Sequence, residues 1–157
     1  MQDVGVPAHR RSERIRLDVL GVIAAGGALG APARYAVARL LPPTPGAFPW
    51  ATFLTNVSGS FALGCFLIVV IDRFPPSRYL RPFFATGFLG AFTTFSTLAV
   101  DTDLLIKDGH AAAGVVYALG SVFAGLAAAW GGVLVARRSS SAHAKGVDEV
   151  LLVEGAE

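Results

Sequence analysis

Polar side chains that could bind a small anion lie within strongly apolar stretches of this sequence. Asn56 carries an amide with two N–H donors and no charge, so it can donate to an anion without trapping it as a cation would. Thr52 and Ser60 share its helical face through the four-residue spacing. Polar groups in hydrocarbon are costly and usually face protein or water. Asn56 is therefore predicted either to line an ion path or to hydrogen-bond between helices.

A second polar segment interrupts the third apolar stretch. The residues from Gly87 to Thr97 include two glycines and then four hydroxyl side chains in five positions, which weakens a regular helix. Backbone carbonyls released at membrane depth must be satisfied by protein, water or an ion, and broken membrane helices commonly coordinate ions. The pattern favours an ion-related break over hydroxyls that merely bond back to carbonyls one turn earlier.

The remaining candidate residues are two phenylalanines, one arginine and two residues with hydroxyl groups. The edges of Phe92 and Phe95 carry partial positive charge and can favour an anion weakly, although most membrane phenylalanines pack or face lipid. Arg34 either snorkels to the interface or attracts anions into an aqueous vestibule. Tyr117 and Ser121 lie four residues apart and could extend a hydroxyl lining.

All these residues fall within four apolar windows, each long enough for a crossing helix of about 20 residues. The windows run from Leu17 to Ala38, Trp50 to Ile71, Leu80 to Ile106 and Ala111 to Ala136, between polar tails at 1–16 and 137–157. Of the 157 residues, 54% are hydrophobic and 15% charged, against about a quarter charged in soluble domains. The sequence predicts an all-α membrane protein with four transmembrane helices, the third of them broken.

The same composition disfavours other functional classes. Little chain lies outside the four windows, and no nucleophile–base pair, metal cluster or phosphate loop is recognisable, so enzyme activity is not expected. The net charge of +2 is too small to indicate nucleic-acid binding. A proton-coupled exporter of the small four-helix kind would need an acidic residue deep in a crossing, whereas Asp18, Asp72, Asp101 and Asp103 all lie towards helix ends.

Small residues predict close contacts between the helices. Glycine and alanine let backbones approach, and interfaces between membrane helices are enriched in them. A bundle of four short helices packed this tightly would struggle to enclose a pathway, which favours an oligomer embedded in lipid. The small residues in question are Gly26, Gly27, Gly30, Gly59, Ser60, Gly64, Gly114, Ala118, Gly125 and Ala129.

Basic residues predict the orientation in the membrane. Four crossings put both termini and the loop between the second and third helices on one side, which then carries ten Lys and Arg residues against two on the other. By the positive-inside rule both termini are cytoplasmic, and the expected location is the inner, or plasma, membrane. The ten are Arg10, Arg11, Arg14, Arg16, Arg73, Arg78, Arg81, Arg137, Arg138 and Lys145; the two are Arg39 and Lys107.

Taken in order along all four helices, these stretches resemble the CrcB/Fluc family of fluoride channels. The most specific stretch is Gly87–Thr97, and the match covers nearly the whole chain apart from its tails. The other matching residues are Gly26–Ala31, Arg34 and Tyr35 in the first helix, Thr52, Asn56, Gly59, Ser60, Phe61 and Gly64 in the second, and Tyr117 and Ser121 in the fourth.

The resemblance implies a passive, fluoride-selective channel that lowers cytoplasmic fluoride. It implies two subunits packed antiparallel around two narrow pores, with a structural sodium ion at the dimer centre held by backbone carbonyls around Gly90 and Thr93. The residues it assigns to the fluoride pathway are Asn56, Phe92, Phe95, Ser96, Thr97, Tyr117, Ser121 and Arg34.

The chain departs from the family pattern at four positions. Leu98 stands where the family usually has a second pore Phe, Ala99 replaces a Ser, Asp101 replaces a Glu, and Gly125 replaces a further hydroxyl residue. These departures leave open a non-conducting partner subunit as the alternative function. The second subunit is expected to be a copy of this chain in an antiparallel homodimer or a homologue in an antiparallel heterodimer. The charge bias of ten against two predicts a single orientation, which favours a heterodimer with an oppositely biased homologue.

Overall fold

The computed structural model describes residues 16–73 and 77–154, and the side chains of residues 16–70 and 77–139. Every regular element in these ranges is helical. Residues 1–15, which belong to the predicted N-terminal tail, lie outside the described residues. The elements are α1 (Leu17–Leu40), α2 (Trp50–Arg73), a π-helical segment (Pro82–Leu89), α3 (Gly90–Phe92), α4 (Phe95–Lys107) and α5 (Ala111–Glu154).

Within the described ranges, four helical spans are long and apolar enough to cross a membrane, which confirms the predicted fold class. They are Leu17–Leu40, Trp50–Val70, Pro82–Lys107 and Ala111–Ser139. The helix α5 continues to Glu154, well beyond the predicted end of the fourth window at Ala136. Hydropathy marks where the apolar stretch ends, but a polar sequence without proline can continue the same helix.

The third crossing is built from three helical pieces in place of a single continuous helix. The π-helical segment runs into α3, and the backbone is then extended at Thr93 (φ −78°, ψ 158°) and Thr94 (φ −151°, ψ 120°). A new helix, α4, begins at Phe95. Thr94 caps it, because its hydroxyl accepts the backbone N–H of Thr97 at 3.1 Å. The break therefore spans two residues in extended conformation.

The helix α1 packs along the first half of the third crossing. A Cβ at Gly30 would collide with the backbone carbonyl of Phe88, and one at Gly26 would collide with the carbonyl of Phe83. Gly87 meets α1 from the other side, with its Cα about 3 Å from the Cβ position of Gly26. The predicted role of Gly26 and Gly30 in close helix contact is confirmed, and Gly87 is their counterpart.

The helix α2 packs along α5, and α4 also packs against α5. A Cβ at Gly64 would collide with the carbonyl of Ala129, and one at Gly132 would collide with the carbonyl of Phe61. Gly64 and Ala129 were both predicted from the sequence as close-packing residues, whereas Gly132 was not. The closest contacts therefore form two helix pairs, α1 with the third crossing and α2 with α5.

The end of the bundle that carries most of the basic residues is tied together by polar contacts. The hydroxyl of Tyr79 donates to Asp18 at 3.0 Å, and Arg78 forms an ion pair with the same carboxylate at 3.5 Å. These contacts link the first turn of α1 to the chain that enters the third crossing. They hold the start of α1 close to the start of the third crossing.

Candidate functional site

Asn56 on α2 and Thr94 at the break are joined by two hydrogen bonds in opposite directions. The backbone N–H of Thr94 donates to Asn56 Oδ1 at 2.7 Å, and Asn56 Nδ2 donates to the Thr94 carbonyl at 2.9 Å. The amide can face Thr94 in only one way, because its oxygen must meet the N–H and its nitrogen the carbonyl. Of its two N–H groups, one is used here and the other is left for a different acceptor.

A groove of about 400 Å³ runs between α2, the break and α5. Asn56, Thr94, Phe95 and Ser121 all line it. The hydroxyl oxygen of Ser121 is buried and has no hydrogen-bond partner among the described residues. A buried polar atom without a partner costs on the order of 1–3 kcal/mol, so this hydroxyl is expected to meet a ligand or water. The groove thus brings together an amide and a hydroxyl as neutral donors.

Phe95 lies at the groove, and the residue is 77% exposed in this chain. The side chain belongs to the first residue of α4, so the break determines its direction. Phe92 lies elsewhere: it is half-buried and stacks on Phe88 with ring centroids 6.1 Å apart. Phe92 and Phe95, which were both predicted from the sequence as residues of the ion path, therefore occupy different environments.

A second cavity of about 290 Å³ lies between α1, the start of α2 and the break. Arg34 lines it, together with the hydroxyl residues Thr52, Thr55, Thr94 and Thr97. Arg34 is partly exposed, and among the described side chains it has no ion-pair partner. Thr94 lines this cavity and the groove alike, so one residue of the break borders both spaces.

Tyr117 and Asp101 form a polar centre near the second cavity. Thr52 donates to Asp101 Oδ2 at 2.6 Å, and the Tyr117 hydroxyl donates to the same oxygen at 3.3 Å. Tyr117 is completely buried, and its ring meets the edge of Phe48 with centroids 5.2 Å apart. Its role in a fluoride path stays a prediction, because its hydroxyl is directed to the carboxylate and not to the groove.

Leu98, at the position where the resemblance expects a second phenylalanine, is 7% exposed. It packs in a small hydrophobic core with Leu105 and Tyr117, and it also borders the groove. Gly125, at another departure, leaves room for the side chain of Ser60, whose oxygen lies 3.5 Å from the Cβ position of that glycine. The subunit therefore keeps a hydroxyl near Gly125, although it comes from α2.

The structure brings some of the sequence candidates together and separates others. Asn56, Phe95 and Ser121 line the groove, and Arg34 and Thr97 line the second cavity. Phe92 and Ser96 line neither space, although the Ser96 hydroxyl lies 3.2 Å from that of Thr94. Thr94 was not proposed as a site residue. Its sequence signal was a threonine directly before a new helix, which is a favoured capping residue.

The break also releases backbone oxygens that a cation could use. In a continuous helix the N–H groups of Thr94 and Thr97 would reach the carbonyls of Gly90 and Thr93. Here Thr94 N–H bonds Asn56, and Thr97 N–H bonds the Thr94 hydroxyl. No group of three or more His, Cys, Asp or Glu side chains occurs in the described part of the chain. Because their usual helical donors bond elsewhere, the carbonyls of Gly90 and Thr93 fit a hard cation that takes oxygen ligands.

Comparison with known proteins agrees with this architecture. Residues 21–133 match the family model described as "CrcB-like protein, Camphor Resistance (CrcB)". The chain is 51% identical over 124 residues to fluoride-specific ion channel FluC 3 of Streptomyces avermitilis. That alignment covers 79% of this chain and 61% of the relative, so the chain spans about three fifths of that protein's length.

Two further relatives match over more of their own length. The chain is 48% identical over 115 residues to FluC 2 of Streptomyces avermitilis, with 73% of each protein covered. It is 43% identical over 129 residues to FluC 1 of Streptomyces coelicolor, with 82% of this chain and 84% of the relative covered. The family model reaches into all four crossing segments and includes the break, and the chain belongs to the CrcB family.

Proposed function

We propose that this chain is a subunit of a passive, fluoride-selective ion channel. The observation that carries the proposal is the unpartnered hydroxyl of Ser121 in a groove that is also lined by Asn56, whose amide has a second N–H beyond the one that bonds Thr94. Two neutral donors in one apolar groove suit a small anion that must be bound and then released. The relatives' names, which describe fluoride-specific channels, support the same ion.

The side chains that line the groove favour an anion over a transported proton. Among the described residues that border it, none is acidic and none is basic. The exposed ring of Phe95 can present its positive edge to an anion. A proton-coupled exporter would need a carboxylate in this space. Asp101 lies outside the groove and accepts hydrogen bonds from Thr52 and Tyr117.

The second cavity supplies the approach to the groove. The guanidinium of Arg34 attracts anions into a space whose other polar groups are threonine hydroxyls. The ion then passes Thr94, which borders both spaces, and reaches Asn56, Phe95 and Ser121. The proposed path therefore runs from the Arg34 cavity through the break into the groove.

A second subunit completes the pathway. The groove is open on one side, where Phe95 is exposed and polar groups would otherwise meet lipid at a high cost. A partner that packs against this side encloses the donors. The charge bias of ten basic residues against two favours an oppositely oriented homologue as that partner, with both termini of this chain in the cytoplasm and the protein in the inner membrane.

A structural sodium ion suits the carbonyl oxygens of Gly90 and Thr93. Their usual helical donors bond elsewhere, so both oxygens are available to a hard cation. When bound, the ion supplies positive charge that compensates the carbonyl dipoles of the break. The residues of this chain do the rest: Asn56 and Thr94 keep the backbone extended, and Gly59 leaves room for the Thr93 methyl group, with which a Cβ would collide.

Fluoride efflux from liposomes tests the function. We expect efflux that needs no proton gradient and no chloride flux, from this chain reconstituted alone or together with an oppositely biased homologue. Efflux only with the homologue supports the heterodimer. If the mixture conducts equally well when this chain carries Asn56→Ala with Ser121→Ala, this chain is a non-conducting partner. Absence of fluoride flux in both preparations would contradict the proposal.

A further inference from the structure

Asn56 does more than face the groove, because its side chain takes the place of helical hydrogen bonds at the break. Thr94 N–H is 2.7 Å from Asn56 Oδ1, and in a continuous helix that N–H would bond the carbonyl of Gly90. Asn56 Nδ2 also holds the Thr94 carbonyl at 2.9 Å. The paired bonds fix Thr94 in its extended conformation, and they come from a residue 38 positions away on α2.

The Thr93 carbonyl also lacks its helical donor, and this follows from the same change that takes the donor from the Gly90 carbonyl. Because Thr94 is extended, its hydroxyl reaches forward and accepts Thr97 N–H at 3.1 Å. That N–H would otherwise be the helical donor to the carbonyl of Thr93. The hydroxyl of Thr94 also contacts the Thr97 hydroxyl at 3.0 Å. One side chain on α2 therefore leads to two carbonyls without their helical donors.

We propose that Asn56 is the positioning residue of the cation site, because its amide holds the break in the conformation that frees the Gly90 and Thr93 carbonyls. This inference rests on the proposed function, in which those oxygens hold a structural sodium ion. It connects the anion path and the cation site through one side chain. The amide that presents one N–H to the anion path uses its other N–H and its oxygen to keep the cation site open.

The chemistry of the side chain makes the inference specific. Aspartate keeps an acceptor for Thr94 N–H but sets a second oxygen against the Thr94 carbonyl, where asparagine has a donor. Alanine offers neither group, so Thr94 N–H is free to return to Gly90 and continue the helix. The expected order of sodium affinity is therefore asparagine above aspartate above alanine, and a residue that only packed would show no such order.

The test measures sodium binding without using ion flux. The full-length purified protein is melted in detergent while sodium chloride replaces choline chloride at constant ionic strength, and the half-saturating sodium concentration is read from the rise in melting temperature. We expect Asn56→Ala to raise that concentration at least about 10-fold, and Asn56→Asp to raise it less. Ser58→Ala is the matched control, since the Ser58 hydroxyl is exposed and bonds back to Leu54 on the same helix.

The outcomes separate this inference from the proposed function. A wild-type protein that conducts fluoride but shows no sodium-dependent melting overturns the inference and leaves the channel proposal standing. An Asn56→Ala protein with wild-type sodium dependence and impaired efflux also overturns it, because Asn56 would then act on the anion alone. If Asn56→Ala does not fold, the comparison of Asn56→Asp with wild type decides: an unchanged half-saturating concentration contradicts the inference.

Discussion

The hydroxyl of Thr52 lies 2.6 Å from a carboxylate oxygen of Asp101 and joins the start of α2 to the middle of α4. The same oxygen accepts the hydroxyl of the completely buried Tyr117, so three helices meet at one carboxylate. Membrane helices gain little from burying apolar surface against each other, since lipid is equally apolar. Polar contacts and close packing therefore account for much of the order in this subunit.

Thr52→Val should destabilise the protein, because it removes the shorter of the two hydrogen bonds to Asp101. Bonds to charged groups contribute about 1.5–3 kcal/mol, which corresponds to a fall in melting temperature of roughly 3–12 °C for a chain of this size. Thr55→Val is the control. Thr55 is also buried, but its hydroxyl bonds only to the carbonyls of Ala51 and Thr52 in its own helix. Equal melting temperatures for the two variants would contradict the assignment.

Ser121→Ala should slow fluoride efflux about 10-fold or more while leaving the melting temperature nearly unchanged. The Ser121 oxygen has no partner in the described part of the subunit, so its removal costs the fold no hydrogen bond. Removing the hydroxyl removes a hydrogen bond to the anion. Each loss of about 1.4 kcal/mol in interaction free energy corresponds to a tenfold effect. Ser139→Ala, on the same helix, removes a hydroxyl that only bonds back to Val135 and should conduct normally. Normal efflux from Ser121→Ala would remove this residue from the path.

Phe95→Ala should abolish most of the efflux without preventing the subunit from folding. The residue is 77% exposed in this chain and lies at the open groove, so it contributes little to the internal packing. Phe123→Ala is a matched control, because that residue is 68% exposed on α5 and does not line the groove. Liposome efflux and size-exclusion profiles of both variants make the comparison. Similar losses in both would indicate a general effect of removing exposed aromatic surface.

Gly30→Ala should destabilise the bundle, because the added Cβ would collide with the carbonyl of Phe88 and push α1 away from the third crossing. Overpacking of this kind typically costs about 1–3 kcal/mol. Gly21→Ala lies on the same helix with no atom within 4 Å of its Cβ position, so it should be neutral or slightly stabilising. Thermal unfolding and the yield of folded protein distinguish the two. The close contact would be disproved by wild-type behaviour of Gly30→Ala.

A reporter fused to the C-terminus should be found only on the cytoplasmic side. The ten basic residues on that side include Arg78, whose side chain is paired with Asp18 at the start of α1. Reversing the bias by adding arginines to the loop between Leu41 and Pro49 should shift part of the population to the opposite orientation. Comparable amounts of unaltered protein in both orientations would contradict the heterodimer and favour an antiparallel homodimer.

The sequence by itself determined the four crossings and the polar break in the third. Long apolar windows need no tertiary information, since the membrane selects them by length and hydropathy. Close packing at Gly26, Gly30 and Gly64 was also predictable, because glycine is the residue that lets two membrane helices touch. The same reasoning did not find Gly132, because its close contact depends on the position of the neighbouring helix α2. It also missed the continuation of α5 to Glu154, because hydropathy marks the end of the apolar stretch and not the end of the helix.

Only the tertiary structure decided what the polar residues do. Asn56 was ambiguous in the sequence between lining an ion path and bonding another helix, and its reciprocal bonds to Thr94 assign one N–H and the oxygen to the second role. Tyr117 and Ser121, four residues apart, looked equivalent in the sequence. In the structure the Ser121 hydroxyl has no partner at the groove, whereas the Tyr117 hydroxyl donates to Asp101. Helical spacing gives the face of a side chain, but the donor or acceptor opposite it comes from a different part of the chain.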